Sequence, residues 1–220
     1  SSGTLVNASA LNLEVATDAA HPLTGPDLLL VSLAPTAASA TVHGLTVDAG
    51  SVIAARGSVT AGASAALIFG VDPVAQYNGA GGALSGYTAG ISGDGSLLRV
   101  SNGGMVTVTR HFVPGIYTPP ATSPTATGPV SATALGSLNV GSGAVLSGNA
   151  LTFDSSGTTV IAADAALSAK NFDLSANIIN LGGGSGGLVL TPGLIAGFAG
   201  ADTVSLRSAS VFNLYGSSSF

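Results

Sequence analysis

Short runs of alternating apolar and polar residues recur along this chain. In LNLEV (11–15) Leu11, Leu13 and Val15 share one side, and in LTVDAG (45–50) Leu45, Val47 and Ala49 oppose Thr46 and Asp48. SLNV (137–140), ALTFD (150–154), NFDLSA (171–176), TVSLRS (203–208) and VFNLYG (211–216) repeat the pattern. Alternation with period two over so few residues predicts half-buried strands. Gly, Asn, Asp and Ser at the joins supply the turns. A second, longer period lies above the first. Phe153 and Phe172 are 19 residues apart, as are Val160 and Ile179, and Leu188 and Leu206 follow at 18. Units this short cannot bury a core alone, so recurrence near 20 predicts a solenoid whose turns stack on one another.

The expected fold is therefore all-β, a parallel β-helix of roughly eight or nine turns, with residues 1–220 forming a single unit. A β-sandwich is the alternative. It too has many short strands, but it does not call for the same apolar positions to return at ~19 residues. Three stretches depart from the alternation. Residues 71–95 are Gly-rich and contain Tyr77 and Tyr87, and residues 112–129 carry five of the ten prolines. Proline cannot donate in a central ladder, so both read as excursions from the rod. In TPGLIAGFAGAD (191–202), Thr191 suits an N-cap and Pro192 a first helical position, which predicts a short helix at about 192–199.

Composition narrows the classes. Charged residues make up only 7%, and the net charge is −5. The five cations, Arg56, Arg99, Arg110, Lys170 and Arg207, form no basic stripe, which argues against nucleic acid as a partner. Mean hydropathy is +0.57. Apolar runs are nevertheless short and broken by Gly, Ser or Asp, so no transmembrane segment is expected. The absence of cysteine excludes disulfides, Cys–zinc sites and thiol catalysis. The opening SSGTLVNASALNLEV lacks the charged start and apolar core of a signal peptide, so either processing has removed one or the chain is an interior fragment of a longer one.

Candidate chemistry is sparse. Asp154 and Asp173 each follow an inward Phe, and a 19-residue spacing would stack them on adjacent turns. Stacked carboxylates could act as an acid/base pair on a polysaccharide or hold Ca²⁺. A solvated face with splayed charges is the plainer reading. Arg110, His111, Phe112 and Tyr117, at the mouth of the proline-rich excursion, form a candidate recognition loop: a cation beside aromatics can stack on a sugar ring or a partner side chain. An ordered loop covering the rod is the competing reading. His21, His43 and His111 have no ligand spacing. No Gly-x-Ser-x-Gly elbow, phosphate-binding loop or repeated calcium nonapeptide occurs, and no catalytic residue or cofactor is expected.

The segments GDGSLLRVSNGGMVTVTR (93–110), GSLNVGSGAVLSGNALTFDSSGTTVIAADAALSAKNFDLSANIINLGG (136–183) and GLVLTPGLIAGFAGADTVSLRSASVFNLYG (187–216) resemble large secreted bacterial proteins of the filamentous haemagglutinin type. That resemblance implies a right-handed parallel β-helix exported through an outer-membrane transporter by two-partner secretion and held on the cell surface or released. The family's N-terminal secretion domain is not visible in this chain. The expected function is a non-enzymatic shaft or adhesion segment, in contact with cell-surface glycans or proteins and serving attachment or biofilm formation. A self-associating extracellular filament or surface-layer subunit is the second reading. A polysaccharide-active β-helix enzyme is the third, and it lacks the acidic density such a groove needs, with only Glu14 and nine Asp in the chain.

Overall fold

The computed structural model describes residues 5–8, 12–32, 44–59, 66–70, 88–92, 96–105, 107–111, 136–155 and 157–216. The chain begins with β1 (Leu5–Ala8), β2 (Asn12–Ala16), β3 (Leu23–Gly25), β4 (Asp27–Ser32), β5 (Gly44–Val47) and β6 (Val52–Ala55). It continues through β7 (Ala66–Gly70), β8 (Thr88–Ser92), β9 (Ser96–Ser101), β10 (Thr107–His111), β11 (Ser137–Val140) and β12 (Val145–Ser147). Then come β13 (Ala150–Ser155), β14 (Thr159–Ile161), β15 (Ala166–Ser168), β16 (Asn171–Leu181) and β17 (Leu188–Leu190). The helix α1 (Pro192–Ala196) and the strand β18 (Thr203–Leu214) complete the order. Among the described residues the protein is all-β, with parallel sheets and one short helix.

Three sheets share the core. The first runs β2-β5-β11-β14, all parallel, with β1 antiparallel on the outer edge of β2. The second, β3-β6-β12-β15, is wholly parallel. The third runs β7-β4-β9-β13-β16, with β17 and β18 both on β16. Only β9 runs against its neighbours in that sheet. A separate parallel pair joins β8 to β10.

Period-two alternation explains what these strands bury. Val15, Val47, Val140 and Ile161 stand in one row of the first sheet, and Leu23, Ile53, Leu146 and Leu167 in one row of the second. In the third sheet Leu28, Val100, Leu151 and Phe172 align, as do Leu30, Leu98, Phe153 and Leu174. All belong to one contiguous apolar cluster. Burying a side chain of this size contributes ~1.5–3 kcal/mol. Hydroxyls close the margins of the core. Ser96 donates to Ser155 at 3.3 Å, and Ser155 to the Gly136 carbonyl at 2.7 Å. Thr17 bonds both backbone groups of Val52, accepting at 2.8 Å and donating at 2.9 Å.

The register corrects the period read from the sequence. Leu138 lies opposite Thr159, Val145 opposite Ala166 and Ala150 opposite Asn171, an advance of 21 residues in all three sheets. Phe153 therefore neighbours Leu174, and Phe172 neighbours Leu151. Val160 is exposed, and its partner is Asn139. A Phe at every nineteenth residue was a coincidence of two different apolar rows. Among the described residues, the first two sheets hold four parallel strands each, against the eight or nine turns expected. The shortfall has a cause: β11 and β12 pair directly with β5 and β6, so no described strand between Ala55 and Ser137 joins the first two sheets.

The excursion at 112–129 and most of that at 71–95 lie outside the described residues. Within the latter, Thr88–Ser92 forms β8. The helix starts where predicted. The Thr191 hydroxyl accepts from the Leu194 N–H at 3.3 Å, Pro192 opens the first turn, and Leu194 is the buried residue. It stops at Ala196, because the next residues form tight turns that carry Phe198 onto Phe172, with ring centroids 4.6 Å apart. No helix among the described residues is long and apolar enough to cross a membrane.

Glycine permits one unusual connection. Parallel neighbours ordinarily need a dozen or more residues between them, yet β16 returns to pair with β17 through GGGSGG (182–187) alone. Gly182, Gly183, Gly184, Gly186 and Gly187 all have positive φ, which L-residues with side chains rarely adopt. A Cβ at Gly187 would collide with the Ile178 carbonyl.

Candidate functional site

The third sheet has a second face. Since Leu28, Leu30, Leu151, Phe153, Phe172 and Leu174 point into the core, the residues between them point away. Register sets three outward rows: Asp27–Ser101–Ala150–Asn171–Thr203, Leu29–Arg99–Thr152–Asp173–Ser205 and Val31–Leu97–Asp154–Ser175–Arg207. These rows gather three carboxylates, Asp27, Asp154 and Asp173, and two guanidiniums, Arg99 and Arg207, onto adjacent strands. Asp27, Arg99 and Thr152 are fully buried, and Asp154 and Asp173 nearly so, while the β18 end of the face is open to solvent.

Arg99 is the centre of the closed end. Its Nε lies 2.8 Å from Asp27 Oδ1 and its Nη2 donates to Asp27 Oδ2 at 3.1 Å. Nη1 donates to the Gly104 carbonyl at 2.8 Å, and Nη2 to the Ser101 hydroxyl at 2.9 Å. The planar fork thus grips a carboxylate with two nitrogens and a turn with the rest. Ser101 also accepts from the Gly103 N–H at 2.9 Å, which ties the turn after β9 to the same cluster.

At the open end, Arg207 Nη2 donates to Asp173 Oδ2 at 2.7 Å. Burial pushes the Asp173 carboxyl above the usual aspartate range, against the opposing pull of the Arg207 guanidinium and the Ser205 hydroxyl. A raised value means that the folded state holds this proton more tightly than the unfolded chain. The contribution of Asp173 is therefore complete below the ordinary aspartate range and is lost as pH rises through its raised titration. Asp164 and Asp18 act in the opposite sense. A hydrogen bond from Ser142 at 2.6 Å lowers the first, and the His21 backbone N–H at 2.7 Å lowers the second. Their contributions are present above the ordinary range and fade on acidification. We expect Asp173→Asn to flatten the fall in urea midpoint just above the ordinary carboxylate range. An unaltered profile would assign that fall elsewhere.

These positions correct the reading of Asp154 and Asp173 as a stacked, open pair. Asp154 stands opposite Ser175 and Asp173 opposite Thr152, so the two carboxylates are diagonal, two residues out of step. The 21-residue advance, in place of 19, is the reason. Both are 4% exposed, so neither an approaching polysaccharide nor a solvated charged face describes them. No group of three metal-ligating side chains occurs among the described residues. Arg110 and His111 end β10, their backbone opposite Ile91 and Ser92 of β8. Phe112 and Tyr117 lie outside the described residues.

Sequence reasoning missed the Arg99–Asp27 pair. The signal was available: SLLRVS and DLLLVS each set one charge inside an otherwise apolar strand, and a lone charge in such a strand calls for a buried partner. No protein-family model, curated protein or solved structure matches this chain.

Proposed function

We propose that this chain is a length of right-handed parallel β-helix serving as a non-enzymatic shaft in a large secreted or surface-held bacterial exoprotein of the filamentous haemagglutinin type. The observation that carries the reading is the common advance of 21 residues: three consecutive strands, β11, β12 and β13, are each followed one turn later by a parallel partner in the same order. A chain winding around its own core has that arrangement, and a sandwich of hairpins does not. Asp27 and Arg99 are paired and fully covered, and Asp173 is nearly covered and held by Arg207, which suits a structural element better than a hydrolase. The handedness and the export route rest on resemblance alone.

Attachment would come from loops and from repeated weak contacts along the shaft. The test begins with the mass of the native polypeptide in secreted and outer-membrane fractions, followed by adhesion of beads coated with the protein to cells and glycans. Peptides of this chain in a much larger secreted band, with bead adhesion weakened by Arg110→Ala and Tyr117→Ala, are the expected results. A cytoplasmic band, or beads that adhere no better than blank ones, would remove the adhesin reading.

A further inference from the structure

One place in the third sheet is filled out of turn. In the first two sheets the layers follow in chain order, β2-β5-β11 and β3-β6-β12. The third sheet would continue that order with a strand directly after β6, as β4 follows β3 and β13 follows β12. The Arg56 N–H still donates to the Gly25 carbonyl at 2.8 Å, but the chain turns away at Gly57, at a φ of 94°. The vacant place is taken by β9, which comes from much farther along the chain and runs antiparallel to both β4 and β13.

The gap does not depend on its occupant. The strands β5 and β6 hold the layers on either side two strand spacings apart, about 9.5 Å, so β4 and β13 cannot close on each other. Among the described residues, β8 and β10 flank β9 in sequence, pair with one another and join none of the three core sheets. Thus β9 is a single strand lowered into the core between the arms of a separate pair. We infer that the gap between β4 and β13 is a strand-binding site built by the surrounding ladders. Its tethered ligand is β9, which enters after those ladders have closed and is recognised through Arg99 by Asp27.

Both ends and the centre of the site fit this strand. Leu98 completes the row between Leu30 and Phe153, and Val100 the row between Leu28 and Leu151. At one end the Ser96 N–H donates to the Ser32 hydroxyl at 3.2 Å. At the other, the Asn102 N–H donates to the Pro26 carbonyl at 2.9 Å and its Nδ2 to the Gly57 carbonyl at 3.0 Å. Asn149 meets the same turn from the next layer, its N–H on the Ser101 carbonyl at 2.7 Å and its Nδ2 on the Gly103 carbonyl at 2.9 Å. The corner abandoned at Gly57 is thereby closed. Arg99 on Asp27 sets the register. A slip of one residue would turn the guanidinium into the apolar core, and a slip of two would carry it away from the carboxylate. The site therefore takes an extended segment that alternates apolar residues with one arginine. This inference does not depend on the proposed shaft function.

Hydrogen exchange of the unaltered chain gives the first test. Amides of β9, and those of β4 and β13 that face it, should exchange together and at least about tenfold faster than amides of β5, β6, β11 and β12, because the ligand strand leaves without the ladders opening. The second test supplies the strand from outside. Leu98→Pro in the full chain removes a ladder donor and keeps its own β9 out of the gap. That variant should capture a labelled peptide copying residues 93–105, and a peptide carrying Arg99→Met should bind at least about tenfold more weakly. Hydrogen exchange decides the matter even if Leu98→Pro fails to fold. Equal protection of β9 and the ladders, a folded Leu98→Pro chain that captures no peptide, or equal capture of the two peptides would each overturn the inference.

Discussion

Replacing Arg99 by methionine is expected to destabilise the fold by about 3–5 kcal/mol, because it strands the Asp27 carboxylate in a buried site with its counter-charge removed. Arg99 and Asp27 are both fully covered, and the guanidinium makes four polar contacts, on Asp27, Ser101 and Gly104. Asp27→Asn should cost a comparable amount for the mirror reason. The double variant, Asp27→Leu with Arg99→Met, should recover most of the loss, since an apolar pair of similar volume replaces two charges at no desolvation cost. Urea unfolding of Arg99→Met, Asp27→Leu and the double variant closes the cycle. A loss below about 1 kcal/mol for Arg99→Met would place the pair in the class of surface ion pairs and contradict its burial.

The second large effect is expected at Phe172, where alanine should cost about 3–5 kcal/mol. The ring is fully buried, stands in the row Leu28–Val100–Leu151–Phe172, and carries Phe198 tilted across it at 52°. Truncation removes the transfer term and leaves a void that a sheet cannot close without breaking its ladder. Phe198→Ala should cost less, because Phe198 comes from a turn that can settle inward. Chemical denaturation of both variants gives the comparison. Equal losses would mean that the contact between the rings, and not the burial of Phe172, carries the energy.

The strands were legible in the sequence where alternation was strict, and so were the faces buried by β2, β5 and β11. Leu13, Val15, Leu45, Val47, Leu138 and Val140 are buried as the pattern predicts. The face of β18 was not, since TVSLRS and VFNLYG also alternate but leave Val204, Phe212 and Leu214 exposed. The helix was legible too, because capping chemistry is local: Thr191 and Pro192 mark its start without help from tertiary structure. Register was not. A solenoid period can be read from sequence only when the same row is sampled each time, and Phe153 and Phe172 belong to different rows. The candidate site failed for the same reason, since a slip of two residues turns a stacked pair into a diagonal one. Burial of the outward face was equally hidden. Alternation in ALTFD and NFDLSA describes one covered side, and nothing in it shows that the other side is covered as well.

The insertion between β6 and β11 has a consequence for how this protein can vary. Leu45 and Leu138 are 93 positions apart and yet stand side by side, as close as residues one turn apart elsewhere. The chain leaves at Ala55, lays β7 on the outer edge of β4, delivers β9 into the gap between β4 and β13, and returns at Ser137. Among the described residues, only β7 and β9 of this insertion pair into the three core sheets. Closure entropy grows only with the logarithm of length, so tripling the inserted segment would cost about 1 kcal/mol. The ladder fixes the points of departure and return and leaves the length between them open. The segment can lengthen, shorten or be exchanged for foreign sequence while β7, β9 and the Arg99 clamp on Asp27 are kept.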